Sequence, residues 1–170
     1  MYKSLFFRIF FILIFFQITA KAQVDVVYHD LVWSDEFSTN GGVDATHWFH
    51  QTQIPTATGW YNGELQHYTN SLENSYSDAG ILNIVAKRKT LTDQGVTKDF
   101  TSARLNSKFS FKYGRVDIRA KVPIDQGTWP ALWLLGKDVS EPGGYFNADF
   151  GTTPWPGCGE IEMMEYGIFG

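Results

Sequence analysis

Polar and apolar residues alternate along the middle of the chain with a period of two. In "ARLNSKFSF" (103–111), Leu105, Phe109 and Phe111 share one side, and Arg104, Asn106, Lys108 and Ser110 the other. In "GRVDIRAKV" (114–122), Val116, Ile118, Ala120 and Val122 oppose Arg115, Asp117, Arg119 and Lys121. This is the pattern of half-buried strands, and "KYG" (112–114) between them predicts a hairpin turn. Further strands are expected over 30–37, 65–69, 81–88, 130–136 and 159–166. Segments rich in Gly, Pro, Asn and Asp separate them, notably 137–157. No long helical period appears after residue 22, so the expectation is an all-β sandwich. The polar strand faces fit either solvent or the lining of a ligand cleft, with solvent the default for any single lysine.

The strand over 159–166 raises a problem of its own. Glu160 and Glu162 fall on one face by alternation, opposite Ile161 and Met163, but Glu165 then falls among the apolar residues. Burying it there would cost several kcal/mol unless it were neutral or paired. One extra residue around Met163–Met164, a β-bulge, returns Glu165 to the acid face and leaves Tyr166 on the core face. Three crowded carboxylates cannot all ionise easily, so at least one pKa should rise. One charged and one protonated carboxylate are the equipment for cleaving a glycosidic bond, with retention when they stand about 5–5.5 Å apart. Two other readings stay open on spacing alone: an acidic surface strand, and a calcium site, although calcium ligands usually come from loops.

At the N-terminus, Lys3 and Arg8, the apolar run Ile9–Phe16 and the small-x-small Ala20-Lys21-Ala22 have the layout of an export signal cleaved near Ala22. The run is short for a membrane span, so none is expected after cleavage, and the product is expected to be secreted or periplasmic. The leader would take three basic residues with it, making a chain of net charge −4 more acidic still. With no basic tract, nucleic acid is a poor partner. A single cysteine, Cys158, excludes an intrachain disulfide and is read as a small buried residue. The four histidines (29, 47, 50 and 67) show no metal spacing, and no metal site is assigned. Six tryptophans in the exported part weakly favour carbohydrate, since indole faces stack on sugar rings.

The same acid segment, "GEIEMMEYG", resembles the E-I-D-x-x-E signature of glycoside hydrolase family sixteen in its bulged, laminarinase-like form. "LVWSDEF" (31–37), "GELQHYT" (63–69), "SARL" (102–105), "YGRVDIRAKVP" (113–123), "GTWPALWLLG" (127–136) and "WPGC" (155–158) follow in family order. The resemblance implies a β-jelly-roll sandwich with a concave ligand-binding sheet, of which 23–170 would be the N-terminal portion of one catalytic domain. It implies a retaining endo-hydrolase of β-glucan, most of all β-1,3-glucan, working on a polysaccharide as a monomer when full length. By position it implies Glu160 as nucleophile, Glu165 as acid/base, and Glu162 in the place of the family aspartate. Asn62, Arg104, Trp129, Trp133 and Trp155 match sugar-binding positions, with Trp155 the best placed for stacking. Asn62 reads equally as a turn residue, and Trp129 and Trp133 equally as core. No cofactor is required, and a structural calcium is left open without assigned residues.

Glu162 is one methylene longer than aspartate, and Asp117 stands where the family usually has Glu, which leaves compensation between them open. Family members continue well beyond the signature, so residues 1–170 alone are expected to be inactive and poorly soluble. Two alternatives are carried forward: a non-catalytic sugar-binding β-sandwich, and a same-family enzyme on mixed-linkage glucan or algal galactan.

Overall fold

A computed structural model describes residues 26–167. The expected leader, 1–22, lies outside the described residues. The compact unit opens at Leu31. Its elements are β1 (Trp48–His50), β2 (Gln66–Tyr68), β3 (Ser75–Asp78), β4 (Ile81–Ile84), β5 (Lys87–Asp93), β6 (Val96–Ser102), β7 (Leu105–Ser107), β8 (Ala131–Leu135), the single turn α1 (Asn147–Phe150) and β9 (Glu160–Glu165). The fold class is all-β. Among the described residues the strands form antiparallel β1–β7, β3–β4 and β8–β9 pairs, and a three-stranded sheet in which β6 lies between antiparallel β5 and parallel β2.

Two tight hairpins give the first half its shape. Ala79 and Gly80 join β3 to β4, and Gln94 and Gly95 join β5 to β6, with φ near +50° at the first residue of each turn and +75° and +79° at the glycines. Positive φ at both central residues matches the right-handed twist of paired strands. The Gln94 side chain also ties its turn to the neighbouring segment, donating to the Thr52 carbonyl at 2.9 Å and accepting from the Ile54 N–H at 3.1 Å.

Several expected strands are corrected. Residues 30–37 form none. Asp35 accepts from the Phe37 N–H and the Trp48 indole, both at 2.8 Å, and Phe37 turns to φ 51°. A side chain that satisfies nearby donors offers the backbone an alternative to a ladder. The span 81–88 is split, because buried Asn74 receives the Val85 N–H on its carbonyl and donates its side-chain amide to the Val85 carbonyl, both at 2.8 Å.

The hairpin expected at 112–114 does not form either. β7 pairs with β1 instead, and residues 111–121 are exposed and carry no strand. An amphipathic strand needs a second layer to bury its apolar face, and Val116 and Ile118 stay exposed here. The fully enclosed interior is correspondingly polar: Gln51, His67, Asn74, Ser75 and Thr101 are buried, against Trp60 and Ala103 among hydrophobic residues.

Candidate active site

The acid strand folds around its extra residue. Across β8 and β9 the register pairs Leu135 with Glu160, Leu134 with Ile161 and Trp133 with Glu162, then skips Met163 to pair Leu132 with Met164 and Ala131 with Glu165. Directly opposed residues share a face of the sheet. Glu160, Glu162 and Glu165 therefore lie on one face with Leu135, Trp133 and Ala131, and Met163 is the bulged residue. Tyr166 falls with the other face, its N–H donating to the Pro130 carbonyl at 3.1 Å. Between the two strands runs the excursion 137–157, pinched at its base where the Gly136 N–H donates to the Gly159 carbonyl at 3.0 Å. A Cβ on Gly136 would stand 2.0 Å from the Cys158 carbonyl oxygen, so only glycine fits that approach.

Each outer acid holds an indole. Trp155 donates its Nε1–H to Glu160 Oε2, and Trp129 donates its own to Glu165 Oε1 at 2.6 Å. Both tryptophans remain exposed. The middle acid is different. Glu162, although exposed, is pushed up to about 7, first by the partial shielding it has, then by its hydrogen bond with Glu160, then by the charges of Glu165 and Glu160. Glu162 thus holds a proton near neutrality, beside its hydrogen-bond partner Glu160.

Trp133, opposite Glu162, is half-buried, and the Arg104 guanidinium lies 4.9 Å from its ring centroid. Trp60 flanks the same guanidinium at 5.6 Å and meets Tyr68 edge-on at 4.7 Å. Burial and the Glu64 carboxylate, which accepts from the phenol at 2.7 Å, drive the Tyr68 pKa far up. Arg104 is ion-paired to Glu141 at 2.5 Å. Glu141 and Trp60 escaped the sequence reading. Glu141 sits in a Gly/Pro-rich separator with no periodicity, and nothing local marks its partner.

Not every expected residue joins this group. Asn62 occupies a turn at φ 58° and is exposed, as the turn reading has it. Asp117 pairs with Arg115 at 2.9 Å and lines a cavity of about 300 Å³ with Val116, Ile118, Leu132, Met163 and Met164. Leu132 and Met164 are paired on the face away from the acids, which gives no support to a compensating exchange between Asp117 and Glu162. Cys158 is half-buried rather than buried, and its thiol is pushed up by burial and then by Asp138.

Comparison with known proteins shows what this chain is similar to. The sequence profile described as "Glycosyl hydrolases family 16" matches residues 61–144. The chain is 40% identical over 146 residues to glucan endo-1,3-beta-glucosidase A1 of Niallia circulans, covering 80% of this chain and 20% of that protein. Among solved structures, LamAcat from Zobellia galactanivorans is 51% identical with a TM-score of 0.77, covering 79% of this chain and 54% of that one. A LamA variant from the same organism, in complex with laminaritriose and laminaritetraose, is 49% identical with a TM-score of 0.80, covering 82% and 56%. Residues 61–144 match the family 16 glycosyl hydrolase profile, and the chain resembles proteins of that kind over about four-fifths of its length. It shares the jelly-roll fold class of the family's laminarinases. It spans about half the length of the LamA chains. Among the described residues no helix is long and apolar enough to cross a membrane.

Proposed function

We propose that this chain supplies the acid face of a secreted, endo-acting, retaining hydrolase of β-1,3-glucan. One observation carries the reading: a single bulge sets three glutamates on one face, with an indole N–H on each outer acid and a raised pKa at the middle one. In this reading Glu165, protonated in the sugar complex, gives that proton to the glycosidic oxygen as Glu160 attacks the anomeric carbon. The leaving sugar departs and a glycosyl ester on Glu160 remains. Glu165 then takes a proton from water, which cleaves the ester with net retention. Two carboxylates suffice, so no cofactor is invoked. Glu162 hydrogen-bonds the nucleophile. Trp155, Trp129, Trp133 and Arg104 would bind sugar, and Asn62 would reach a hydroxyl from its turn.

Geometry imposes a demand. Four residues of β8 separate the partners of Glu160 and Glu165, which puts their Cα atoms about 13 Å apart. The carboxylates must lean together to reach the retaining separation, and a bulge that bends and twists the strand favours this. The apolar faces bearing Ile161 and Met163 are exposed. We therefore assign the activity to the full-length gene product and expect residues 1–170 alone to be inactive.

The test is reducing-end release from laminarin by the full-length gene product and its Glu160→Gln variant. Hydrolysis by the parent and a loss of at least about 10³-fold in the variant are expected. Binding without hydrolysis would instead identify a sugar-binding module. Faster cleavage of mixed-linkage glucan or galactan would correct the substrate.

A further inference from the structure

The segment 137–157, which separates β8 from β9 and carries Trp155, also delivers one acid inward. Glu141 Oε1 accepts from Arg104 Nη2 at 2.5 Å, with both side chains more than four-fifths shielded. The backbone around Glu141 is fixed on both sides. Its N–H donates to Asn147 Oδ1 at 2.9 Å, and its carbonyl accepts from the Gly144 N–H at 3.0 Å. The next carbonyl, of Pro142, accepts from the side-chain amide of fully buried Gln51. Gln51 in turn donates its backbone N–H to the Arg104 carbonyl at 2.9 Å.

These contacts close a ring. It leaves the Arg104 backbone through Gln51, enters the loop at Pro142, and returns through Glu141 to the Arg104 guanidinium. The guanidinium is the part that lies over Trp133, opposite Glu162 on the acid face. A guanidinium is planar and binds through a fixed fork of N–H groups, so its orientation matters as much as its charge. Left unpaired and half-buried, it would turn toward solvent or toward the acids.

We propose that Glu141 is a positioning residue that holds the Arg104 guanidinium over the Trp133 ring, so that a sugar bound on the acid face meets a preorganised cation. This rests on the functional reading above. The loop's acid acts only through Arg104, and its loss weakens substrate binding rather than chemistry. Binding lost equally in ground and transition states appears in KM, with kcat unchanged.

The experiment uses the full-length gene product, its Glu141→Gln and Glu141→Asp variants, laminarin kinetics, laminaritetraose binding, and the Arg104 Nε–Hε resonance by NMR. Glu141→Gln keeps the shape and an acceptor but removes the charge. We expect KM to rise on the order of tenfold with kcat within about twofold, and the Arg104 resonance to shift and broaden. Glu141→Asp keeps the charge and should recover part of both. Should Glu141→Gln fail to fold, Glu141→Asp carries the test, since a carboxylate one methylene shorter draws Arg104 off Trp133 and must move KM and the resonance together. Unchanged KM and an unmoved resonance, in a parent that cleaves laminarin, overturn this inference alone. A parent that neither cleaves laminarin nor binds laminaritetraose overturns the functional reading, and the inference with it.

Discussion

Replacing Glu160 by Gln should change the titration of its neighbour Glu162 by an amount that the strand geometry sets. Glu162 titrates near 7, against 4.5 for an ordinary glutamate, and two of the four causes come from Glu160: its hydrogen bond and its charge. Two residues of strand separate the pair by about 6.7 Å at Cα. With solvent screening at an effective dielectric of about 40–80, the charge repulsion there is about 0.6–1.2 kcal/mol, or about 0.5–1 pK unit. The amide of Gln keeps a hydrogen-bonding group but not the charge, while burial and Glu165 remain. The midpoint should therefore fall by about one unit without returning to 4.5. At pH 6 the carboxyl would go from about nine-tenths to about half protonated. A ¹³C-carboxyl NMR titration of the full-length gene product reads this directly. A parent midpoint between 4 and 5, or one that does not move in Glu160→Gln, would refute the account of a Glu162 proton held by its neighbour.

Other consequences are open to test. Glu162→Asp shortens the middle acid to the length of the family signature, and kcat on laminarin should rise, by as much as about 10²-fold if a displaced carboxylate now limits the rate; no gain would mean that the longer acid is already accommodated. Gly136→Ala forces a Cβ against the Cys158 carbonyl, and the overpacking, about 1–3 kcal/mol, should lower Tm by several degrees in a thermal melt, whereas an unchanged Tm would show that the base of the excursion can open freely. Burial pushes the His50 pKa below 6.5, so the unfolded chain binds the extra proton and stability should fall as pH drops below 6.5. Glu162 has the opposite sign, its raised pKa costing stability as pH rises from about 4.5 through 7, so the His50 slope is best read as Tm against pH in Glu162→Gln, where a flat line from pH 7 to 5 would exclude it.

What the sequence revealed depended on how each signal was carried. The bulge was legible because two-then-three spacing of acids has one inexpensive solution on a strand, and the register skips Met163 as that solution requires. The apolar run of β8 was legible for the same local reason. The β5–β6 hairpin was not, because polar contacts interrupt its few apolar residues: Thr92 bonds Thr97 at 2.8 Å and Thr90 bonds Asp99 at 2.9 Å, which leaves little apolar alternation to see. Its one usable sign was the Gln94-Gly95 turn. Over 30–37 Asp35 diverted the backbone, and over 114–122 the alternation lacked a surface to cover. Glu141 was hidden by distance, since its meaning depends on Arg104, 37 residues earlier in the chain.

The proposal stands or falls on which carboxylate attacks the sugar. An activated 2-deoxy-2-fluoro laminaribioside forms its glycosyl ester faster than water removes it, so the ester accumulates on the nucleophile. Incubated with the full-length gene product, digested and sequenced by mass spectrometry, it should label the peptide carrying residues 160–165 at Glu160, and Glu160→Gln should take up none. A label on Glu162 or Glu165, or no label in an enzyme that cleaves laminarin, would contradict the assignment.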